Sequence, residues 1–411
     1  MTNNHASEKA DKIGLLQKIK FRRDRETIAV ISQGADKSSG FLARKAGKMG
    51  YQTILLTPTP KSHEWWEAHR VLQADYTGGS KEVERVGKQI SDYRITAILA
   101  GFRESVLPFW RELHPYCNLA APSQSAVTAS VDKFQAYQWL GDLANSGMWD
   151  CAQDSCGMNQ HPGPIVLKPK SGTGSAGIHF FDNGKEAADF LQRKEVEEKN
   201  YIAQEIADGH QYDIEGITVN GRHYVYAIIW ERFINRKSQT RPLIFYFNPP
   251  MQEALRRQLE DYAHQVLDAW QVTNGPWHVE VRVDEEGIIR WLDFGNRLGN
   301  TFWDPISFVS NRDFLADLIH SETESRHPEK IQRTNRGRLR VFFESMEDGT
   351  YWQEKIKSSK ANFQVETFTL EPFPHSTGNF QGLMILSSED TDVLYQWFSL
   401  HKEKWLLKKQ E

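Results

Sequence analysis

The chain has 411 residues, more than one ordinary hydrophobic core holds, which predicts two or three domains or closely packed lobes. A hydrophobic fraction of 39%, with 22 Phe, 13 Tyr and 13 Trp, supplies enough apolar side chains for buried cores and argues against a disordered chain. The formal net charge of -4, from 50 basic and 54 acidic residues, gives no general attraction to nucleic acid or to an anionic membrane. Any phosphate group must therefore bind at a local site.

The cysteines and the N-terminus indicate the cellular setting. Cys117, Cys151 and Cys156 lack the spacing of a zinc site and are too few to stabilise a secreted chain of this length. Residues 1–20 are polar and charged, without the apolar centre of a signal peptide, and no run of about 18 apolar residues occurs. We expect a soluble cytoplasmic protein that binds neither nucleic acid nor membrane.

Short apolar strands alternate with helical segments in the first part of the chain. Residues 27–31, 52–57 and 95–101 are predicted strands, with segments of mixed charge and helical character between them. This alternation is typical of a parallel Rossmann-like sheet. A dinucleotide site at Gln33 to Ala35 is an alternative use of the first turn, but the glycines there lack the spacing of such sites.

The middle of the chain has a different pattern. A helix is predicted over residues 132–145, and glycine-bearing turns between apolar runs then predict an antiparallel, hairpin-rich unit. A long helix is predicted over 250–270, followed by strands at 277–283 and 288–294 joined by an acidic turn. The last hundred residues contain helix-like and strand-like pieces without a recognisable motif.

The strongest local signal is a glycine-rich loop between two apolar runs in residues 165–180, with the sequence IVLKPKSGTGSAGIHF. Residues such as Gly174 and Ser175 allow backbone N–H groups to approach an anion closely. Lys168, at the end of the first run, supplies a cation suited to a phosphate. The loop lacks the Walker pattern, so by itself it is equally consistent with a flexible hairpin turn.

Two further segments contain candidate site residues. In residues 201–214, a strand, a turn and a second strand place Gln204 and the nearby backbone where an adenine could be hydrogen-bonded. If the strands that contain Glu280 and Asp293 are adjacent and antiparallel, the two carboxylates converge on one face. Such a pair suits Mg²⁺, and Arg297 adds a cation for a phosphate or a developing oxyanion. Each of these residues alone has an ordinary surface interpretation.

The order of these features resembles the ATP-grasp superfamily, and in particular the carboxylate–amine ligases that include the L-amino-acid ligases. The similarity is closest over residues 130–300. It implies a mixed α/β and α+β ATP-grasp fold with an N-terminal Rossmann-like domain at 1–125. It also implies a small lobe with the glycine-rich loop at 126–205, and a large lobe with a C-terminal subdomain at 206–411.

The resemblance also implies roles for individual residues. Phosphates would be bound by Lys133 and Lys168, and the loop containing Gly174 and Ser175 would close over the γ-phosphate. The residues around the adenine and ribose would be Gln204, Glu205, Ile206, Ala207 and Gln211. Mg²⁺ would be bound by Glu280 and Asp293, while Arg297 would stabilise an acyl-phosphate and the tetrahedral species that follows it.

Three departures from the family pattern concern the metal and the ribose. The usual Glu-x-Asn-x-Arg motif reads Asp293-Phe294-Gly295-Asn296-Arg297 here, with glycine in place of the metal-binding amide. Asn296 should point to the opposite side of the strand. Asp293 is shorter than the usual glutamate, and Gln211 replaces a carboxylate that often faces the ribose. The number of metal ions is therefore left open.

The activity implied by the resemblance is an ATP-dependent ligase that forms an amide or peptide bond and releases ADP and phosphate. Its substrates would be small carboxylates and amines, with amino acids expected, and a homodimer is compatible with the sequence. One alternative is a carboxylase of the biotin-carboxylase type, although no biotinyl domain is recognised. Another is a non-catalytic nucleotide-binding protein, which would not need Arg297 or the acidic pair.

Overall fold

The computed structural model describes residues 22–32, 37–60, 68–153, 155–172, 174–193, 197–236, 239–299, 302–375 and 378–407. The turn at Gln33 to Ala35, considered above for a dinucleotide, lies outside the described residues, as do residues 1–20. Thr173, within the glycine-rich loop, lies outside them as well.

The first domain is built on a four-stranded sheet in the order β3-β2-β1-β4, with every neighbouring pair parallel. The strands are β1 (Thr27–Ile31), β2 (Gln52–Thr57), β3 (Arg70–Gln73) and β4 (Ile95–Leu99), and the helices are α1 (Lys37–Lys48), α2 (Gly79–Ile90) and α3 (Leu107–Leu113). Strands β1 and β2 are completely buried, as expected for a parallel sheet covered on both faces. The predicted parallel sheet is confirmed, while β3 was not predicted because its side chains are largely exposed.

A small lobe follows, with an antiparallel sheet in the order β5-β8-β6-β7. Its elements are α4 (Gln124–Val131), α5 (Lys133–Leu140), β5 (Met148–Asp150), α6 (Ser155–Asn159), β6 (Ile165–Pro169), β7 (His179–Phe181), α7 (Gly184–Gln192) and β8 (Tyr201–Glu205). Asp132 caps α5 by accepting the N–H groups of Phe134 and Gln135. The helix predicted over 132–145 is therefore confirmed, and its last turn is a 3₁₀ segment, Gly141–Ala144.

An antiparallel sheet of eight strands forms the large lobe, in the order β13-β12-β9-β10-β11-β14-β18-β15. The strands are β9 (His210–Val219), β10 (Arg222–Arg236), β11 (Gln239–Phe247), β12 (Gly275–Val283), β13 (Ile289–Gly295), β14 (Gly337–Phe343), β15 (Gln364–Thr369) and β18 (Gly382–Ser388). The remaining elements are α8 (Glu253–Ala269), α9 (Trp303–Ser310), α10 (Phe314–Glu324), α11 (Met346–Lys357), β16 (Phe373–His375), β17 (Gly378–Phe380) and α12 (Thr391–Leu407). The predicted hairpin-rich unit and long helix are confirmed. Of the described strands in the last hundred residues, β14, β15 and β18 join the same sheet, while β16 and β17 pair with each other in a separate sheet.

The two faces of this sheet pack against different partners. Side chains such as Ile214 and Val279 point to one face and share a core with Leu259 and Val266 of α8. The opposite face shares a core with α9, α10 and strand β1 of the first domain. The second face therefore looks toward the first domain, and its polar end forms the cleft described below. None of the helices described is both long enough and apolar enough to cross a membrane.

Candidate active site

A row of carboxylates lies across three strands of the large lobe. Glu280 on β12 is directly opposite Asp293 on β13, and its neighbour on the other side is Asp213 of β9. Directly opposed residues of antiparallel strands lie on the same face of the sheet. The convergence of Glu280 and Asp293 predicted from the sequence is therefore confirmed.

Two lysines of the small lobe reach these carboxylates. Lys133 Nζ is 3.2 Å from Asp293 Oδ2 and donates to the carbonyl of Gly172, also at 3.2 Å. Lys168 Nζ donates to Gln204 Oε1 at 2.8 Å and to the carbonyl of Leu292 at 3.4 Å. The structure thus brings both predicted phosphate-binding lysines to the interface of the two lobes.

Burial and neighbouring charges together shift the pKa values of these groups. Burial lowers the pKa of Lys168 to about 8, although Asp293 opposes the shift. Burial and the charge of Asp293 raise the pKa of Glu280 to about 7. Burial would also raise the pKa of Asp293, but the charges of Lys133 and Lys168 outweigh it and the pKa is lowered. Of the two carboxyl groups, Asp293 is therefore the one that stays ionised to lower pH.

The glycine-rich loop spans the end of β6 and the start of β7. Gly172, Gly174, Ser175 and Gly177 all have positive φ, with values of 138°, 65°, 58° and 74°. Glycine adopts such angles without steric cost, which explains the composition of the loop. The described part of the loop is largely exposed, and the Lys133 contact at Gly172 places its first residues beside the carboxylate pair.

The hinge between β8 and β9 contains the residues predicted to surround the adenine. Gln204 is only 1% exposed, and its amide donates to the carbonyl of Trp291 at 3.0 Å while its oxygen accepts from Lys168. Its side chain therefore orients Lys168. The Glu205 carboxylate accepts a hydrogen bond from the backbone N–H of Gly147 at 2.7 Å, so this side chain also bonds within the small lobe.

The backbone of the hinge leaves one donor available. The N–H of Ile206 donates to the carbonyl of Pro164 at 3.1 Å, and the carbonyl of Ala207 accepts from Arg282. Among the described residues, the N–H of Ala207 makes no hydrogen bond. A cleft of about 650 Å³ opens at this hinge, and it is lined by residues of the hinge, the small lobe and the turn between β12 and β13.

Gln211 lies on the same face of the large sheet as the carboxylate pair. Its amide donates to Glu231 at 3.0 Å and to Glu280 at 3.4 Å. Burial and the charge of Glu280 raise the pKa of Glu231. The side chain that was predicted to face the ribose thus links two carboxylates.

Arg297 is held by a residue of the first domain. Its Nε donates to Glu104 Oε1 at 2.6 Å, and a terminal nitrogen donates to the carbonyl of Leu298 at 2.8 Å. Burial opposes the charged form, but Glu104 outweighs it and raises the pKa of Arg297. Glu104 was not identified from the sequence, because nothing local relates it to a residue 193 positions away.

The imidazole of His278 occupies the space beside Gly295, the position where the family pattern has an asparagine. Gly295 lies opposite His278, and a Cβ atom at Gly295 would be 2.2 Å from Cε1 of the imidazole. Burial lowers the pKa of His278 to about 3, so the ring is neutral. Asn296 is buried and donates to the carbonyl of Pro276 at 3.0 Å, so its amide nitrogen bonds within the large lobe.

The donor set around Glu280 and Asp293 is consistent with Mg²⁺. Across the described ranges, no group of three or more His, Cys, Asp and Glu side chains is arranged to hold a metal ion by itself. Mg²⁺ is commonly bound by one or two carboxylates together with water and phosphate oxygens. Glu280 and Asp293 fit that mode of binding.

Comparison with known proteins agrees with this geometry. Residues 161–302 match the model of the ATP-grasp domain family. The chain contains an ATP-grasp domain. The matched range includes Lys168, the hinge, both carboxylates and Arg297, whereas Lys133 precedes it. A sequence search of curated proteins finds no match.

Solved structures are similar in fold to nearly the whole chain, beyond the residues that match the ATP-grasp domain family. L-amino acid ligase from Bacillus licheniformis superposes with a TM-score of 0.71 at 16% identity, covering 93% of this chain and 98% of that one. Phosphoribosylglycinamide synthetase from Anaerococcus prevotii gives 0.66 at 14%, covering 92% and 98%. Carboxyaminoimidazole ribonucleotide synthase from Aspergillus clavatus, complexed with ATP, gives 0.66 at 14%, covering 93% and 98%. The ATP-grasp fold predicted from the sequence is confirmed.

Proposed function

We propose that this protein is an ATP-dependent ligase that joins a carboxylate to an amine, with amino acids as substrates and ADP and phosphate as products. The observation that carries the proposal is that five side chains come together where the lobes meet, namely Lys133, Lys168, Glu280, Asp293 and Arg297. The likeness to an L-amino acid ligase over almost the full length of both chains supports the choice of substrate class.

ATP would bind between the small and large lobes. Lys133 and Lys168 supply the cations for its phosphates, and charge-assisted hydrogen bonds of this kind are roughly twice as strong as neutral ones. The free N–H of Ala207 is a donor for an adenine ring nitrogen. Glu280 and Asp293 would hold Mg²⁺, which when bound neutralises charge on the phosphates.

The chemistry then depends on placement and charge. A carboxylate oxygen of the acid attacks the γ-phosphorus of ATP, the bond from that phosphorus to the bridging oxygen breaks, and ADP leaves. The amine next attacks the carbonyl carbon of the acyl-phosphate, loses a proton and displaces phosphate. Arg297 is the cation suited to the oxyanion that develops in this second step. The glycine-rich loop would exclude water, which would otherwise hydrolyse the acyl-phosphate.

A trapping experiment tests the proposal. The protein is incubated with Mg-ATP, hydroxylamine and each acid of a panel made of the L-amino acids and bicarbonate, and both phosphate and hydroxamate are measured. We expect at least one amino acid to give hydroxamate and phosphate in equal amounts. Bicarbonate as the sole acid that stimulates phosphate release would indicate the carboxylase alternative. Release of AMP and pyrophosphate would show adenylation and would refute the acyl-phosphate mechanism.

Lys168→Met and a surface control, Lys185→Met, show whether the activity belongs to this cleft. Lys185 lies exposed on α7, outside the site. We expect Lys168→Met to abolish hydroxamate formation and Lys185→Met to keep it. Equal activity of both variants would place the reaction elsewhere.

A further inference from the structure

Asp213 and Glu215 are buried acidic residues near the carboxylate pair that the proposed ATP site does not use. They alternate along β9, opposite Glu280 and His278 of β12, and therefore face the same side as the carboxylate pair. They are only 3% and 1% exposed. These two residues are called the β9 carboxylates below.

Both β9 carboxylates have an oxygen with no hydrogen-bond partner in the described part of the chain, namely Asp213 Oδ1 and Glu215 Oε1. His278 Nδ1 and Glu104 Oε2, close to Arg297 and to β9, are also buried without a partner. Nearly all buried polar atoms in folded proteins have a partner, so a group of unpaired atoms in one place needs an explanation, and a bound ligand that supplies the partners is one.

The cations of the cleft are already paired with other groups. Lys133 is paired with Asp293, Lys168 donates to Gln204, and Arg297 donates to Glu104. Within the described ranges, the β9 carboxylates have no salt bridge of their own. The charged form of a buried acidic group is unfavourable without a partner, and an ammonium bound beside the two groups would stabilise that form.

We propose that Asp213 and Glu215 bind the protonated amino group of the acid substrate, whose carboxylate is activated beside Arg297. This inference rests on the proposed ligase function and assigns the residues that would recognise the amino group of its acid substrate. Arg297 interacts electrostatically with both Asp213 and Glu215, so the three side chains lie close to one another. The amino and carboxylate groups of an α-amino acid are attached to the same carbon, so one molecule can contact the β9 carboxylates and Arg297 together.

The surroundings of the β9 carboxylates suit a small cationic group such as an ammonium, and the Mn²⁺ measurement described below tests for a second metal ion instead. Gly299 also approaches closely, since a Cβ there would lie 1.8 Å from Glu215 Oε1. An ammonium needs one or two acceptors and has little bulk, which matches two carboxylates beside backbone.

Calorimetric titration tests the proposal directly. Wild-type protein with Mg²⁺ and the non-hydrolysable analogue AMPPNP is titrated with L-alanine, L-leucine and L-phenylalanine, and with propionate, 4-methylpentanoate and 3-phenylpropionate, which lack the amino group. We expect at least one amino acid to bind about tenfold or more tightly than its counterpart, as charged hydrogen bonds predict. Asp213→Asn and Glu215→Gln should each reduce that preference to about threefold or less.

Glu260→Gln is the matched control, because Glu260 is a partly buried carboxylate on α8, outside the cleft. It should keep the full preference, and thermal unfolding should show that all three variants are folded. Equal binding of amino acids and their counterparts to the wild type, or no binding of any amino acid, would overturn the proposal. A preference that survives in both Asp213→Asn and Glu215→Gln would do so too.

This binding test is separate from the test of activity. If wild-type protein forms no hydroxamate but prefers amino acids through Asp213 and Glu215, the ligase function fails and the pocket stands. If hydroxamate forms equally well from acids without an amino group, the ligase function stands and the pocket fails. Loss of Mn²⁺ binding in Asp213→Asn with an unchanged preference would assign the residue to a second cation and overturn the proposal.

Discussion

Lys168, which we propose binds a phosphate of ATP, lies where its positive charge lowers the stability of the fold. Its pKa is about 8, below the ordinary 10.5, so the free energy cost of keeping it charged corresponds to roughly 3 kcal/mol at 1.36 kcal/mol per unit. The side chain is partly exposed to the cleft, and screening reduces this figure to about 2 kcal/mol. The unfolded chain binds more protons between pH 8 and 10.5, so this cost is full below pH 8 and disappears as the pH rises through that window.

Replacing Lys168 by Met removes the charge and keeps most of the stem. The Gln204 oxygen loses its donor, which costs about 1 kcal/mol. We therefore expect Lys168→Met to raise the free energy of unfolding at pH 7 by about 1 kcal/mol, measured by urea denaturation. Toward pH 10.5 the cost of the charge disappears and only the lost hydrogen bond remains, so the gain should turn into a loss of about 1 kcal/mol.

The same variant should lose affinity for ATP. A charge-assisted hydrogen bond contributes about 1.5–3 kcal/mol, so Mg-ATP should bind roughly 10- to 100-fold more weakly at pH 7 by calorimetry. Because the free lysine has a pKa of about 8 and phosphate favours its charged form, wild-type affinity should fall about tenfold between pH 7 and pH 9. Lys168→Met should show no such fall. Unchanged ATP binding, or a variant that is less stable than the wild type at pH 7, would refute this reasoning.

Three further predictions concern the rest of the site. Glu280→Gln and Asp293→Asn should each lower turnover by about a hundredfold or more with an unchanged circular dichroism spectrum, and full activity of either in a Mg²⁺ titration would contradict the metal assignment. Arg297→Ala should lower kcat about a hundredfold while ATP affinity measured by calorimetry changes little, since its target oxyanion exists only during reaction. Hydrogen exchange in the described loop around Gly174 should slow when ATP is added, because its glycines have few apolar contacts, and equal exchange would exclude closure.

The parts of the fold that the sequence predicts are those with strong local periodicity. The apolar strands of the first domain, the helix capped by Asp132 and the stripe of α8 all have local patterns, and all are present. Strand β3 has mostly exposed side chains and leaves no such pattern. Its place in the sheet depends on pairing with β2.

The residues of the candidate site also fall into those that a local sequence pattern predicts and those that it does not. Glu280 and Asp293 are close in sequence and their strands form one hairpin, so their convergence is predictable. Glu104 belongs to another domain, and its contact with Arg297 depends on packing between domains. The β9 carboxylates did leave a signal, because Gln211, Asp213 and Glu215 alternate in an otherwise apolar strand. That alternation indicates a polar face and does not show what the face opposes.

The pairing of Gly295 with His278 gives a direct test of how this cleft departs from the family pattern. A side chain at 295 would place its Cβ 2.2 Å from the imidazole, so Gly295→Asn should lower the free energy of unfolding by about 1–3 kcal/mol through overpacking. His278→Ala alone should also destabilise the protein, because it leaves a cavity beside β13. If the ring and the missing amide compete for one space, the double variant should be more stable than the sum of the single effects by about 1 kcal/mol or more. Urea denaturation of the wild type, both single variants and the double variant measures this coupling. Additive effects would show that the ring and the side chain at 295 do not share that space, and the glycine would then need another explanation.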